Sequence, residues 1–74
     1  MIEKFDNISN SELEACIDDA VRGLNAVRNR KMLKDRLITG MLYEPLAEKY
    51  HLSVRQTQSI IYKASEQLFK RIKL

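Results

Sequence analysis

Residues that break regular structure are rare in this 74-residue chain, and their positions divide it into segments of helical composition. Glycine occurs only at Gly23 and Gly40, and proline occurs only at Pro45. Between them apolar side chains recur at spacings of three and four residues, while no stretch alternates apolar and polar residues as a strand does. The pattern predicts an all-α fold and a single domain over residues 1–74, because chains divide into domains only well above this length.

The first helix is predicted over about residues 10–24. Ser9 and Ser11 are each followed three residues later by a glutamate, which is the pattern of a capping box. One apolar stripe follows, with Cys16 beside it, and consists of Leu13, Ile17, Ala20, Val21 and Leu24. Residues 1–9 are expected to form a flexible segment.

A break is predicted within residues 25–29. In one continuous helix Leu33, nine positions after Leu24, would point to the opposite face. Gly23 is expected to end the first helix, and an asparagine at either end of the break can cap the second.

The second helix is predicted over residues 29–39, and Gly40 is expected to end it. Its inward side chains are Met32, Leu33, Leu37 and Ile38. Its outward side chains are Arg30, Lys31, Lys34 and Arg36. With Asn29 as the cap, Arg30 and Lys31 lie in the first turn, where the helix dipole disfavours cations, so this placement favours a neighbouring phosphate.

Two further helices are predicted over residues 43–50 and 54–72. Pro45 is tolerated in the first turn of the shorter one, and Ser53 with Gln56 forms a second capping box. The apolar face of the shorter helix consists of Leu42, Leu46, Ala47 and Tyr50. A short helix, a tight turn and a longer helix form a helix-turn-helix, so the expected fold is a compact four-helix bundle that contains this motif.

The last helix has two distinct faces. Its core arc consists of Val54, Thr57, Ile61, Ala64, Leu68 and Ile72, and Ile60 and Phe69 are expected to flank that arc partly exposed. The opposite face consists of Arg55, Gln56, Ser59, Tyr62, Lys63 and Glu66. Residues 54–65 contain no acid, whereas a merely solvated helix usually mixes both charges. Arginine suits guanine, glutamine suits adenine, and the other polar groups suit phosphates or base edges, so this face predicts contact with nucleic acid.

The charge distribution points the same way. Residues 1–20 hold one base and six acids, whereas residues 21–74 hold twelve bases and four acids. A strongly basic segment favours a partner of dense negative charge, of which nucleic acid is the most common.

Residues 28–72 resemble the carboxy-terminal promoter-reading domain of bacterial sigma factors and the small sigma-like regulators of phages and prophages. The matching features are the RNRKML start, Gly40 with the hydrophobic and aromatic pair after it, PLAEKY, LSVRQT and the later alanine and leucine. The resemblance implies a recognition helix in the major groove, basic residues of preceding helices on the phosphates, and RNA polymerase as a partner. His51 stands where the family often has glycine, and the promoter-melting region of sigma factors is missing, so a stand-alone regulator or a polymerase accessory is expected.

The residues expected to read bases are Arg55, Gln56, Ser59, Tyr62 and Lys63. The residues expected to contact phosphates are Arg30, Lys31, Lys34, Tyr43, Ser53 and Thr57. The predicted function is that of a sequence-specific regulator of transcription that binds double-stranded DNA in the cytoplasm of a bacterium or a phage-infected host. A second copy of the chain is a further candidate partner.

Other kinds of function are disfavoured by the sequence. One cysteine and one histidine cannot form a zinc site, and nothing orients Cys16 and His51 as a catalytic pair, so we expect no enzyme, metal, cofactor or small-molecule substrate. No apolar run approaches the length of a membrane span. The alternative function is a protein-interaction module that binds RNA polymerase or another host protein through the acidic first helix.

Overall fold

Four α-helices surround one hydrophobic core in a computed structural model that describes residues 9–72. The helices are α1 (Asn10–Ala20), α2 (Ala26–Lys34), α3 (Tyr43–Lys49) and α4 (Val54–Ile72). A π-helical turn (Asp35–Thr39) continues α2, and no strand occurs between residues 9 and 72. The predicted all-α bundle is confirmed, whereas the expected flexible segment lies, except for Ser9, outside the described residues.

Helix α1 starts at the first of the two predicted caps and ends earlier than predicted. The Glu12 amide donates to Ser9 Oγ (3.2 Å), and the Ser9 amide donates to Glu12 Oε1 (3.1 Å). The helix ends at Ala20 because Val21 is extended, and the Val21 carbonyl accepts a bond from Arg30 Nε (2.7 Å) instead of from a next helical turn. Leu24, predicted to lie on the apolar stripe, is therefore 90% exposed.

Helix α2 begins three residues earlier than the predicted start at residue 29. Asn25 occupies the N-cap position with a left-handed backbone (φ 64°) and reverses the chain within a tight turn, so the helix can begin at Ala26. Arg30 and Lys31 consequently do not lie in its first turn. Lys31 lies near the middle of the continuous helical segment that ends before Gly40, away from both ends of the helix dipole, so its position gives no indication of a neighbouring phosphate.

The predicted end of the second helix at Gly40 is confirmed, and the π-helical turn immediately before it fixes α3. Gly40 has a left-handed backbone (φ 81°). Arg36 Nη1 donates to the Met41 carbonyl (3.0 Å), and its guanidinium lies 4.6 Å from the centroid of the Tyr43 ring. Asp35 Oδ2 accepts bonds from Lys49 Nζ (2.8 Å) and Tyr50 Oη (2.7 Å) at the opposite end of α3. Two adjacent residues thus hold both ends of the same short helix.

Residues 50–53 form the turn between α3 and α4, as the sequence predicts for a helix-turn-helix. His51 adopts the left-handed conformation (φ 59°) in this turn. It occupies the position at which the family that the sequence resembles often has a glycine. The predicted capping box is present, since the Gln56 amide donates to Ser53 Oγ and the Ser53 amide donates to Gln56 Oε1, both at 3.0 Å.

The core draws side chains from all parts of the bundle. Its members are Leu13, Ile17, Val21, Met32, Leu33, Leu46, Ile61, Ala64 and Leu68. Helix α4 packs against each of the other three helices. Leu42 and Val54 were predicted to face inward, but they are 68% and 36% exposed because each lies at a helix start, outside the packed turns. The side chain of Ile72, also predicted to face the core, is not among those that the structure describes. No helix within residues 9–72 is long and apolar enough to cross a lipid bilayer.

Candidate nucleic-acid interface

The amino-terminal half of α4 carries a continuous polar surface directly after the turn. We define the reading face as the five exposed residues Arg55, Gln56, Ser59, Tyr62 and Lys63. Their spacing of one to four positions places them on one side of the helix, opposite the buried residues Ile61 and Ala64. The structure therefore brings together all five residues that were expected to read bases, and it leaves them open to solvent.

Gln56 already has a structural role in this arrangement. Its Oε1 atom accepts the Ser53 amide as part of the capping box. A bidentate contact with adenine needs both the oxygen and the nitrogen of the side-chain amide. Reading adenine through Gln56 would require Oε1 to accept a second hydrogen bond while it caps the helix, so Arg55 and Ser59 are stronger candidates for base reading than Gln56. The Ser53 hydroxyl accepts the Gln56 amide and keeps its own proton for a phosphate oxygen.

Replacing Gln56 by alanine is expected to lower the free energy of unfolding by about 0.5–1 kcal/mol, because the Ser53 amide loses its partner at the start of α4. Urea denaturation followed by circular dichroism measures this loss. Gln56→Glu is the matched control, since a carboxylate caps equally well and suits the positive end of the helix dipole. Equal losses in both variants would contradict the capping role.

Thr57 was expected to contact a phosphate, and this prediction is wrong. Its side chain is fully buried, and its Oγ1 donates to the Ser53 carbonyl (2.9 Å). The helical wheel places Thr57 on the core arc of α4, and that placement is confirmed. The hydroxyl satisfies a carbonyl at the helix start and does not reach the surface.

The other expected phosphate contacts are mostly held within the protein. Arg30 is half-buried and donates to the Val21 carbonyl, Lys34 pairs with Asp18 (2.8 Å), and Tyr43 lies beneath the Arg36 guanidinium. Expecting Arg30 to stay outside was therefore wrong. Lys31 is exposed and makes no ion pair within residues 9–72. Among the residues expected to contact phosphates, Lys31 and Ser53 are the two whose polar groups are most accessible to a ligand.

The structure does not join the lysines of α2 to the reading face. Lys31 and Lys34 line an open hollow of about 430 Å³ with Asp35, Lys49 and Tyr50, and no residue of α4 lines it. Sequence reasoning missed Lys49, because the pattern of apolar residues on α3 gives no sign that Asp35 lies beside it. The residues of this hollow form a second basic surface, separate from the reading face.

The charges in this hollow are coupled. Burial by itself raises the pKa of Asp35, but the hydrogen bonds from Lys49 and Tyr50 and the charge of Lys49 outweigh burial, so the net pKa lies below its ordinary value. Burial, followed by the hydrogen bond and charge of Asp35, raises the pKa of Tyr50 to about 12. The carboxylate and the phenol therefore remain in the protonation states that suit their bond.

Asp35 is expected to make the fold sensitive to acid. Its pKa is lower in the folded chain, so its contribution to stability is complete above about pH 5 and is lost as the pH falls below about 4. Asp35→Asn should be less stable at neutral pH and should lose less stability between neutral and acid pH. Lys49→Met, which leaves the Tyr50 bond, should flatten the curve only in part. A curve for Asp35→Asn parallel to that of the unaltered chain would contradict this coupling.

Most of the acidic side chains of α1 already have hydrogen-bond or ion-pair partners within the protein. Hydrogen bonds from Arg71 and Arg22, together with their charges, lower the pKa of Asp19, and Asp18 pairs with Lys34. The Glu12 carboxylate closes the capping box at Ser9. Two of the four acids of α1 are therefore paired with basic residues of the same chain.

Comparison with models of protein families, with curated proteins and with solved structures found no match. The functional conclusion therefore rests on the geometry and charge of this chain.

Proposed function

We propose that the protein binds double-stranded DNA in a sequence-specific manner and regulates transcription, with the amino-terminal half of α4 in the major groove. The observation that carries the proposal is the exposed, acid-free reading face at the start of a helix that packs against all three others. A major groove about 12 Å wide admits one α-helix, and a support packed on several sides keeps that helix rigid. The resemblance of residues 28–72 to promoter-reading domains supports the same function.

Each side chain of the reading face has a suitable role. Arg55 lies in the first turn of α4, where a recognition helix first meets base edges, and its guanidinium can bond both acceptors of guanine. Ser59, one turn later, can bond a base edge or a phosphate. Tyr62 and Lys63 follow near the middle of the helix and suit the phosphates along the groove wall.

A titration of random-sequence duplex DNA at several salt concentrations tests the proposal. Lys and Arg that neutralise phosphates release counterions, so about three such contacts predict a slope near −3 for the logarithm of affinity against the logarithm of salt. Lys63→Gln should make this slope shallower by about one. Lys70→Gln is the matched control, because it removes an exposed lysine of α4 that lies outside the reading face. Absence of measurable affinity even at low salt would overturn the proposal.

Selection of bound oligonucleotides from a random pool then tests sequence specificity. A preferred motif of a few base pairs is the expected result, whereas a pool without enrichment would leave only non-specific binding and would contradict base reading by α4. The alternative of a protein-binding module through α1 has less support, because Asp18 and Asp19 already pair with Lys34, Arg22 and Arg71.

A further inference from the structure

An apolar knob protrudes where α1 joins α2. Leu24 is 90% exposed and Val27 is 66% exposed, and they lie three residues apart on the turn and the first turn of α2. Exposed apolar side chains on neighbouring positions form a patch, and apolar patches rimmed by polar residues mark contact surfaces.

A groove of about 560 Å³ lies beside this knob, between the start of α2 and the middle of α4. Leu24 forms one wall, and half-buried Ile60 and buried Ala64 lie within it, together with the amide side chains of Asn25 and Asn29. The knob and the groove thus belong to one continuous surface of the same molecule.

We propose that this groove binds the apolar knob of a second copy of the chain, forming a two-fold symmetric dimer. A two-fold interface joins the same surface of both copies, so it needs a surface that is complementary to itself. A protrusion next to a groove of matching apolar character meets this need, because each copy inserts its Leu24 beside Ile60 of the other. The pairing buries the exposed Leu24 side chain of each copy.

The charges on the groove support a second copy over another partner. Lys63 and Glu66 lie on the groove, one helical turn apart, and neither makes an ion pair within residues 9–72. When a two-fold axis perpendicular to α4 passes between these two residues, the α4 helices of the two copies lie antiparallel. Lys63 of each copy then faces Glu66 of the other, and two ion pairs form across the axis.

Because Lys63 belongs both to the reading face and to this interface, the dimer and the proposed DNA complex exclude each other, and dimerisation is therefore measured without DNA. Sedimentation equilibrium of the full chain should give a mass that rises with concentration from 8.7 kDa towards twice that value. A contact limited to one knob and one groove on each copy belongs to the smaller interfaces, so we expect a dissociation constant between about 1 µM and 1 mM.

Leu24→Glu should keep the protein monomeric over this range, with its circular dichroism unchanged because the side chain is already exposed. Leu42→Glu is the matched control, since Leu42 is also exposed but does not line the groove, and it should dimerise as the unaltered chain does. A monomeric unaltered chain at about 1 mM, or equal behaviour of the two variants, would overturn the proposal.

A charge exchange tests the antiparallel register. Lys63→Glu and Glu66→Lys each place like charges across the axis, so each variant alone should dimerise at least about tenfold more weakly. An equimolar mixture of the two variants should recover the affinity, because every facing pair is then of opposite sign. Failure of the mixture to recover would overturn this register and with it the proposed dimer.

Discussion

Ile17→Ala is expected to lower the free energy of unfolding by about 2–5 kcal/mol. The Ile17 side chain is fully buried at the centre of α1, in the core that α1 forms with α4 and α2, and its removal leaves a cavity that the helices cannot fill without moving. Small domains unfold with only about 5–15 kcal/mol in total, so this one substitution removes a large part of the stability. Urea denaturation of both proteins measures the difference.

Leu42→Ala is the matched control, because Leu42 is 68% exposed and should change the stability by less than about 0.5 kcal/mol. The sequence pattern alone places both residues on apolar faces, so the pair of variants separates burial from pattern. Equal losses would show that α1 is not packed as described, and a small loss for Ile17→Ala would mean that α1 is dispensable to the fold.

Arg55→Ala is expected to weaken binding to the selected DNA site by about 1–3 kcal/mol, which corresponds to a factor of about 5 to 150. Arg55 makes no hydrogen bond or ion pair within residues 9–72, so its removal should leave the fold intact. Repeating the selection with the variant should show one position of the motif with relaxed base preference. Fluorescence anisotropy with the original site measures the loss of affinity.

Lys31→Ala provides the comparison, since it also removes one exposed positive charge but lies outside the reading face. Its effect should be small and alike for every sequence, with no position relaxed. If both variants relaxed the same position, or if neither did, the assignment of base reading to Arg55 would be wrong.

The sequence predicts the number and order of the helices well, because its apolar periodicity is strong and its few breaking residues fall between segments. The end at Gly40 and the capping boxes at Ser9 and Ser53 follow from local chemistry that needs no tertiary contact. The ends around the first turn were missed for a tertiary reason. Val21 leaves the helix while remaining buried, with its carbonyl held by Arg30, and a wheel drawn through Leu24 cannot anticipate that contact.

The placement of the reading face followed from the wheel of α4, because one long amphipathic helix must bury its apolar arc. The phosphate contacts were less predictable, since basic residues were assigned by charge alone. Whether an arginine or lysine is available depends on neighbours that are distant in sequence, as with Asp18 beside Lys34. Thr57 is the opposite case: the apolar periodicity correctly places it in the core, whereas its hydroxyl group alone suggested a phosphate contact.

Asp35 and Arg36 bond to opposite ends of α3, so both residues influence how the turn before α4 is supported. Since α3 is tied at each end to the preceding segment, the two are held together, and α3 in turn supports the turn that precedes α4. Under the proposed function, a substitution at Asp35 or Arg36 would loosen this hold and weaken the support of α4 on DNA, although neither residue belongs to the reading face. Under that proposal, residues far from the duplex would influence binding without any change in the reading face.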